Sequence, residues 1–334
     1  LQDIYPRDAG IFLNDKTEYM GSHFGEFAGL MAAFCWTATA IAFESAGKRV
    51  GSLSVNLIRL FMAIFLLGIY TLITRSMFLP MDANAHQWKW LIISGLVGFS
   101  LGDLFLFEAY VRIGARLSSL IMSFVPPIAG IIGWLVMDER LSFENIIGMA
   151  ITLTGIILVI SQRKNSNPDP TRIIDEPEVP KKKRRLRFSF SYQVVGIIMA
   201  FAGATGQATG LVLSKYGMGD YDAFAATQIR VLAGTVGFMV LFFILRRWKK
   251  VFAAMKNKDA MKRVSMGAFF GPFLGVSFSL LAVQHTLTGI ASTLMALVPV
   301  LIIPPAVFYF KEKVNFVEVL GAFIAFGGVA MFFL

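Results

Sequence analysis

The chain alternates between apolar stretches long enough to cross a bilayer and short blocks that hold most of its charge, and this alternation excludes most folds at once. Crossing about 30 Å of hydrocarbon takes about 20 helical residues. Ten runs qualify: 27–45, 55–73, 90–110, 118–137 and 146–161 in the first half, and 192–214, 223–245, 264–283, 290–310 and 317–334 in the second. In lipid every backbone N–H and C=O must be bonded within the protein, which a helix does by itself. All ten runs are therefore read as helices, including those that contain Gly and Pro, residues frequent in membrane helices. The predicted fold class is all-α and integral to the membrane, with ten transmembrane helices. Composition supports this: 16% of residues are charged, against about 25% in soluble domains.

The formal net charge is +10. Lys181, Lys182, Lys183, Arg184, Arg185 and Arg187 form a patch like those that bind nucleic acid, but basic loops also hold the cytoplasmic ends of spans, and that reading is preferred; no nucleic-acid partner is expected. The single cysteine, Cys35, excludes an intramolecular disulfide, and the three histidines have no metal-ligand spacing, so neither a metal nor another cofactor is expected. The polar stretch before Met20 suggests that translation opens at Met20, making residues 1–19 untranslated, with no cleaved signal peptide.

The two halves repeat each other. At one constant offset Ser119 falls on Ser292, Met122 on Met295, Pro126 on Pro299, Glu139 on Glu312, Phe143 on Phe316, Gly148 on Gly321 and Gly155 on Gly328. Small changes of offset extend the match upstream, pairing Gly29 with Gly196, Lys48 with Lys215, Arg59 with Arg230, and Gly98 and Gly102 with Gly271 and Gly275. Five spans per copy is an odd number, so the second copy enters the membrane inverted, as in many secondary transporters. The expected organisation is an N-terminal tail over 1–25, a first repeat over 26–161, a linker over 162–190 that runs from Pro-rich and acidic to basic, and a second repeat over 191–334. Connections after odd-numbered spans carry Lys48, Arg49, Arg112, Arg116, the basic linker, the cluster from Arg246 to Arg263, Lys311 and Lys313. The positive-inside rule places that side, linker included, in the cytoplasm and both termini outside, in the cell membrane of a prokaryote.

The twice-repeated signature of a Pro, a Glu about 13 residues on, and glycines further along at Gly148 and Gly155, or Gly321 and Gly328, resembles the EamA-type domain of the drug/metabolite transporter superfamily. The resemblance covers nearly all of 26–334. It implies the ten-helix fold of that family, whose members export amino acids, other metabolites or drugs, or exchange sugar-linked nucleotides and phosphates. One departure matters: small four-helix relatives couple protons through a Glu embedded in the first helix, whereas Glu26 and Glu44 stand near the ends of the corresponding span here.

A charge in hydrocarbon costs at least about 2.5 kcal/mol on insertion scales, so ionisable groups within spans are candidate functional residues. Asp103, inside the third span, could hold a proton or a substrate amine, or equally form a fixed ion pair with Arg59. Arg59 and its repeat mate Arg230 stand on opposite sides of the midplane, with Asn56 and Thr227 three residues earlier on the same helix faces. Either arginine could line a cavity and meet a carboxylate or phosphate, or snorkel to an interface. Arg230 is the sharper candidate, because Val276 occupies the position that matches Asp103. Gln207 and Gln228 add hydrogen-bonding capacity and Trp36 an aromatic wall; each could equally serve helix packing. Pro126 and Pro299 interrupt helices and could let the bundle bend or gate. Gly98, Gly102, Gly271 and Gly275 read as packing faces, Glu108–Arg112 and Glu44–Lys48 as local ion pairs, and Glu139 and Glu312 as loop-edge acids beside basic residues.

The expected function is secondary active transport by alternating access, with export of small metabolites such as amino acids and protons as the coupling ion. No phosphate-binding glycine loop is present to support direct ATP drive. The alternative is translocation of lipids or lipid-linked anionic head groups. An enzyme is not expected, because the polar groups are few and scattered. Expected partners are a small-molecule solute, membrane lipids, protons and a second copy of the chain.

Overall fold

The computed structural model describes residues 23–162, 190–246, 248–308 and 314–333. Met20 and the tail before it, the prolines and basic run of the linker, and Glu312 with Lys311 and Lys313 lie outside the described residues, as do the side chains of Glu44, Lys48 and Arg116. Among the described residues, ten helical segments are long and apolar enough to cross a membrane: Phe24–Gly47, Leu53–Arg75, Ala85–Leu106, Leu117–Met137, Phe143–Ser161, Val194–Met218, Ala223–Leu245, Lys258–His285, Thr288–Phe308 and Phe316–Phe333. They are numbered here as the first to tenth spans.

Two spans begin several residues before their apolar runs, because polar side chains cap them. Asn84 accepts from the Gln87 amide while Gln87 accepts from the Asn84 amide, which starts the third span at Ala85 rather than at residue 90. Asn257 accepts from the Ala260 amide and starts the eighth at Lys258 rather than at 264. The helices that carry the first two spans, Phe24–Val50 and Ser52–Arg75, are separated by Gly51 alone, at φ 84°, a conformation that costs a residue with a Cβ. The third and fourth are joined through the continuous helix Asp103–Met122 rather than by a loop. A short helix, Trp248–Met255, fills part of the basic seventh-to-eighth connection, burying Val251 and Ala254 and exposing Phe252 and Met255.

The repeat governs packing as well as sequence. The third span lies along the sixth and the eighth along the first; the second pairs with the seventh, the fourth with the ninth, and the fifth with the tenth. The family-like glycines sit at the last of these crossings. A Cβ on Gly155 would come within 2.5 Å of the Gly321 carbonyl oxygen and one on Gly321 within 2.8 Å of the Gly155 oxygen, while Gly148 and Gly328 make the same reciprocal approach. Small residues there let the two backbones touch. The third and sixth spans approach in the same way, Gly98 facing Gly210 and Gly102 facing Gly206.

Two further features occur in both copies at matching positions. The third and eighth spans each contain a seven-residue π-helical segment, Leu96–Gly102 and Phe269–Gly275. Pro272, which has no N–H to give, lies within the second of these, whereas the first contains no proline. The fourth and ninth spans are discontinuous, and new helices start at Val125 and Val298. Pro126 and Pro299 stand in the first turn of those new helices, where a missing N–H costs nothing. The breaks thus fall just before the prolines rather than at them.

Candidate functional site

Five of the polar residues that sequence placed inside the spans, Asn56, Arg59, Asp103, Gln207 and Arg230, converge on the first π-helical segment. That segment ends at Gly102 and delivers Asp103 into the seam between the second, third and sixth spans. Arg59, on the second span, donates from Nη2 to Asp103 Oδ2 at 3.2 Å, and Gln207, on the sixth, donates from Nε2 to Asp103 Oδ1 at 2.8 Å. The same Gln207 nitrogen also reaches the Gly98 carbonyl at 3.3 Å. Asp103 is buried, and both of its oxygens are engaged by protein. The Arg59 guanidinium also lies over the Phe43 ring, 5.2 Å from its centroid.

Arg230 comes to the other side of the same segment from the seventh span. Its guanidinium lies over Phe99 at 5.0 Å, and Nη2 is 3.4 Å from where a Cβ on Gly98 would be. Gly95 makes this approach possible, because a Cβ there would stand 2.4 Å from the Arg230 carbonyl oxygen. Arg230 is only 6% exposed, yet no acid or hydrogen-bond acceptor among the described residues meets its side chain. Asn56, one helical turn before Arg59, is 3% exposed and is a hydrogen-bonding neighbour of the Asp103 carboxylate. The seam thus holds an ion pair backed by Gln207 and Asn56 and one buried arginine, Arg230, whose side chain meets no acceptor among the described residues. Buried polar groups are hydrogen-bonded almost everywhere in native proteins, so Arg230 is the exception that calls for an explanation.

The other candidates are engaged elsewhere. Gln228 donates to the Phe78 carbonyl at 2.8 Å and accepts from Thr71 at 3.3 Å, holding the connection between the second and third spans. Thr227 bonds back to Ala223 on its own helix. Trp36 donates to Ser279 at 3.2 Å and seals the first span against the eighth beside Gly275. Glu108 and Arg112 form the expected local pair at 2.7 Å.

A model of the EamA-like transporter family matches residues 23–161 and 194–334, once for each half. The chain belongs to the EamA-like transporter family. A Bacillus subtilis protein described as the uncharacterized transporter YoaV is 26% identical over 145 residues, 42% of this chain and 49% of that protein, so the match spans about half of the relative's length. An uncharacterized Haemophilus influenzae protein is 26% identical over 124 residues, 37% of this chain and 86% of its own. A solved crystal structure superposes over 92% of this chain and 95% of its own with a TM-score of 0.66 at 16% identity, a likeness of fold alone. With ten candidate membrane spans, this chain is a multi-pass membrane protein of a transporter family.

A second polar network of this EamA-type protein was not legible in sequence. It lies on the face that carries the connections after even-numbered spans. Glu139, between the fourth and fifth spans, accepts from the Thr288 amide at 2.8 Å and hydroxyl at 3.0 Å, and pairs with Lys215 Nζ at 2.6 Å. Lys215 donates onward to the Thr286 carbonyl at 2.8 Å, and the Thr286 hydroxyl donates to Glu26 at 2.6 Å. One chain of contacts therefore joins the first, fourth, sixth, eighth and ninth spans across both repeats. The signal for it was the coincidence that an acid, Glu139, and a base, Lys215, are both duplicated in the repeat.

On the same face Tyr221 donates to Asp82 at 2.9 Å, Asp82 pairs with Arg75, and the Arg75 guanidinium covers the Tyr221 ring at 4.8 Å. Burial, reinforced by the bond to the Asp82 carboxylate, pushes the Tyr221 phenol up to about 12.

Proposed function

We propose that this chain is a secondary active transporter that exports small metabolites such as amino acids by alternating access, with protons as the coupling ion. The observation that carries the reading is the seam: an ion pair, a bridging glutamine and an unpaired arginine gathered around a π-helical segment of the third span, where spans of the two copies meet. Transporters of inverted-repeat architecture bind between their copies and rock one copy against the other. Asp103 is the carboxylate placed to take the coupling proton, since protonation would break its pair with Arg59 and release both side chains. The distribution of Lys and Arg puts the face of the odd connections, linker included, in the cytoplasm and the Glu139–Lys215 face outside the cell membrane. Residues 26–161 and 191–334 would then be the two moving halves.

Proteoliposomes carrying the purified protein provide the test. Flux of labelled amino acids should rise with a proton gradient, and Asp103→Asn should abolish that dependence while leaving the protein folded. Gradient-insensitive flux would remove the proton from the mechanism. Movement of anionic lipid between leaflets, with no solute flux, would replace the reading by lipid translocation.

A further inference from the structure

We propose that the place beside Arg230 binds a carboxylate group, so that the solutes this chain carries are small carboxylates, α-amino acids among them, and not organic cations. The inference rests on the transporter reading above and gives it a recognition chemistry. It begins from the pseudo-two-fold relation between the halves. Arg59 and Arg230 are repeat mates, and so are Asp103 and Val276. In the first copy the arginine on the second span meets the aspartate on the third at 3.2 Å. In the second copy Val276 stands at the position of Asp103, and Arg230 lies instead against Phe99 and Gly98 of the third span, where no acid stands. The fold thus builds one arginine–carboxylate pair and omits the carboxylate of the other.

Charge and burial say what fills the omission. Arg59 and Asp103 cancel, which leaves the cluster with the single positive charge of Arg230, 6% exposed and without an acceptor. Leaving a buried charge unpaired costs several kcal/mol, which a bound anion would recover. A single negative charge balances the site, while a phosphate dianion would overfill it and a cation would be repelled. The planar fork of a guanidinium takes the two oxygens of a carboxylate side by side. Gly98, without a side chain, lets the Arg230 guanidinium lie directly on the third span, 3.4 Å from where a Cβ would stand.

The test is counterflow into proteoliposomes preloaded with unlabelled amino acid, using labelled leucine, its primary-amine analogue lacking the carboxylate, its 2-oxo acid lacking the amine, and inorganic phosphate. Leucine and the oxo acid should exchange, whereas the amine and phosphate should not. Arg230→Gln should lower exchange at least tenfold and Arg230→Lys should keep part of it. Exchange of the amine, or full exchange of leucine by Arg230→Gln, overturns the carboxylate site and leaves the transporter reading standing. Failure of all four probes, with the melting temperature intact, overturns both.

Discussion

At the residue scale, the Arg59–Asp103 pair shows how position in a membrane changes the meaning of an ion pair. Exposed pairs contribute little, but here both partners are inside spans, and Asp103 is also held by Gln207. Removing one partner leaves the other charge buried, a loss of about 3–5 kcal/mol, whereas replacing both by apolar side chains of similar volume is close to neutral. Asp103→Ala should therefore lower the melting temperature in detergent strongly, and Arg59→Met combined with Asp103→Leu should recover most of it while transport stays lost. Equal destabilisation by the single and double variants would mean that the pair is not coupled. Sequence could anticipate this contact because Arg59 and Asp103 lie at similar depth on adjacent antiparallel spans. It could not anticipate Gln207, whose reach to Asp103 depends on how closely Gly98 and Gly102 let the sixth span approach.

At the scale of elements, the duplicated glycines of the fifth and tenth spans have a steric cause. A Cβ on Gly155 would stand 2.4 Å from the Ala325 amide nitrogen and 2.5 Å from the Gly321 oxygen, both backbone atoms that cannot swing aside. Gly155→Ala must push the two spans apart, and overpacking of this kind costs about 1–3 kcal/mol. Gly327, with nothing within 4 Å of its added Cβ, is the control on the same pair of helices. A lower melting temperature for Gly155→Ala and an unchanged one for Gly327→Ala is the expected outcome; equal melting would show that the crossing yields. The ten spans themselves were legible because lipid demands long apolar helices. Their polar first turns were not, since capping by Asn84 and Asn257 extends a helix beyond its apolar run. The π-helical segments were hidden for a different reason: a shift of backbone hydrogen-bond register leaves no trace in side-chain hydropathy, and only the second contains a proline that hints at it.

At the scale of the whole molecule, the contacts from Glu139 through Lys215 and Thr286 to Glu26 close one face, because they span both repeats and five of the ten spans. The proposed alternating access would require that face to part, so the network would break in each cycle and its strength would bias the resting population. Lys215→Met removes the central cation and leaves Glu139 with Thr288 alone, which should favour the state in which this face is open. Every 1.4 kcal/mol taken from the closed state is a tenfold change in population. The chain suits a thiol-labelling measurement, since its single cysteine, Cys35, is buried and can be replaced by Ser. With Ile290→Cys as the reporter just below the network, labelling by a membrane-impermeant reagent added to one side should speed up roughly tenfold in Lys215→Met, and Glu139→Gln added to that variant should change it little further. The repeat gives the experiment a second arm. Lys48 and Glu312 are the sequence mates of Lys215 and Glu139, assigned by the inversion to the opposite face. Lys48→Met should therefore slow labelling at Ile290→Cys, because weakening one face shifts population away from opening the other. Labelling that is unaffected by Lys215→Met, or that rises in both variants alike, would show that the network holds the fold together and does not gate it.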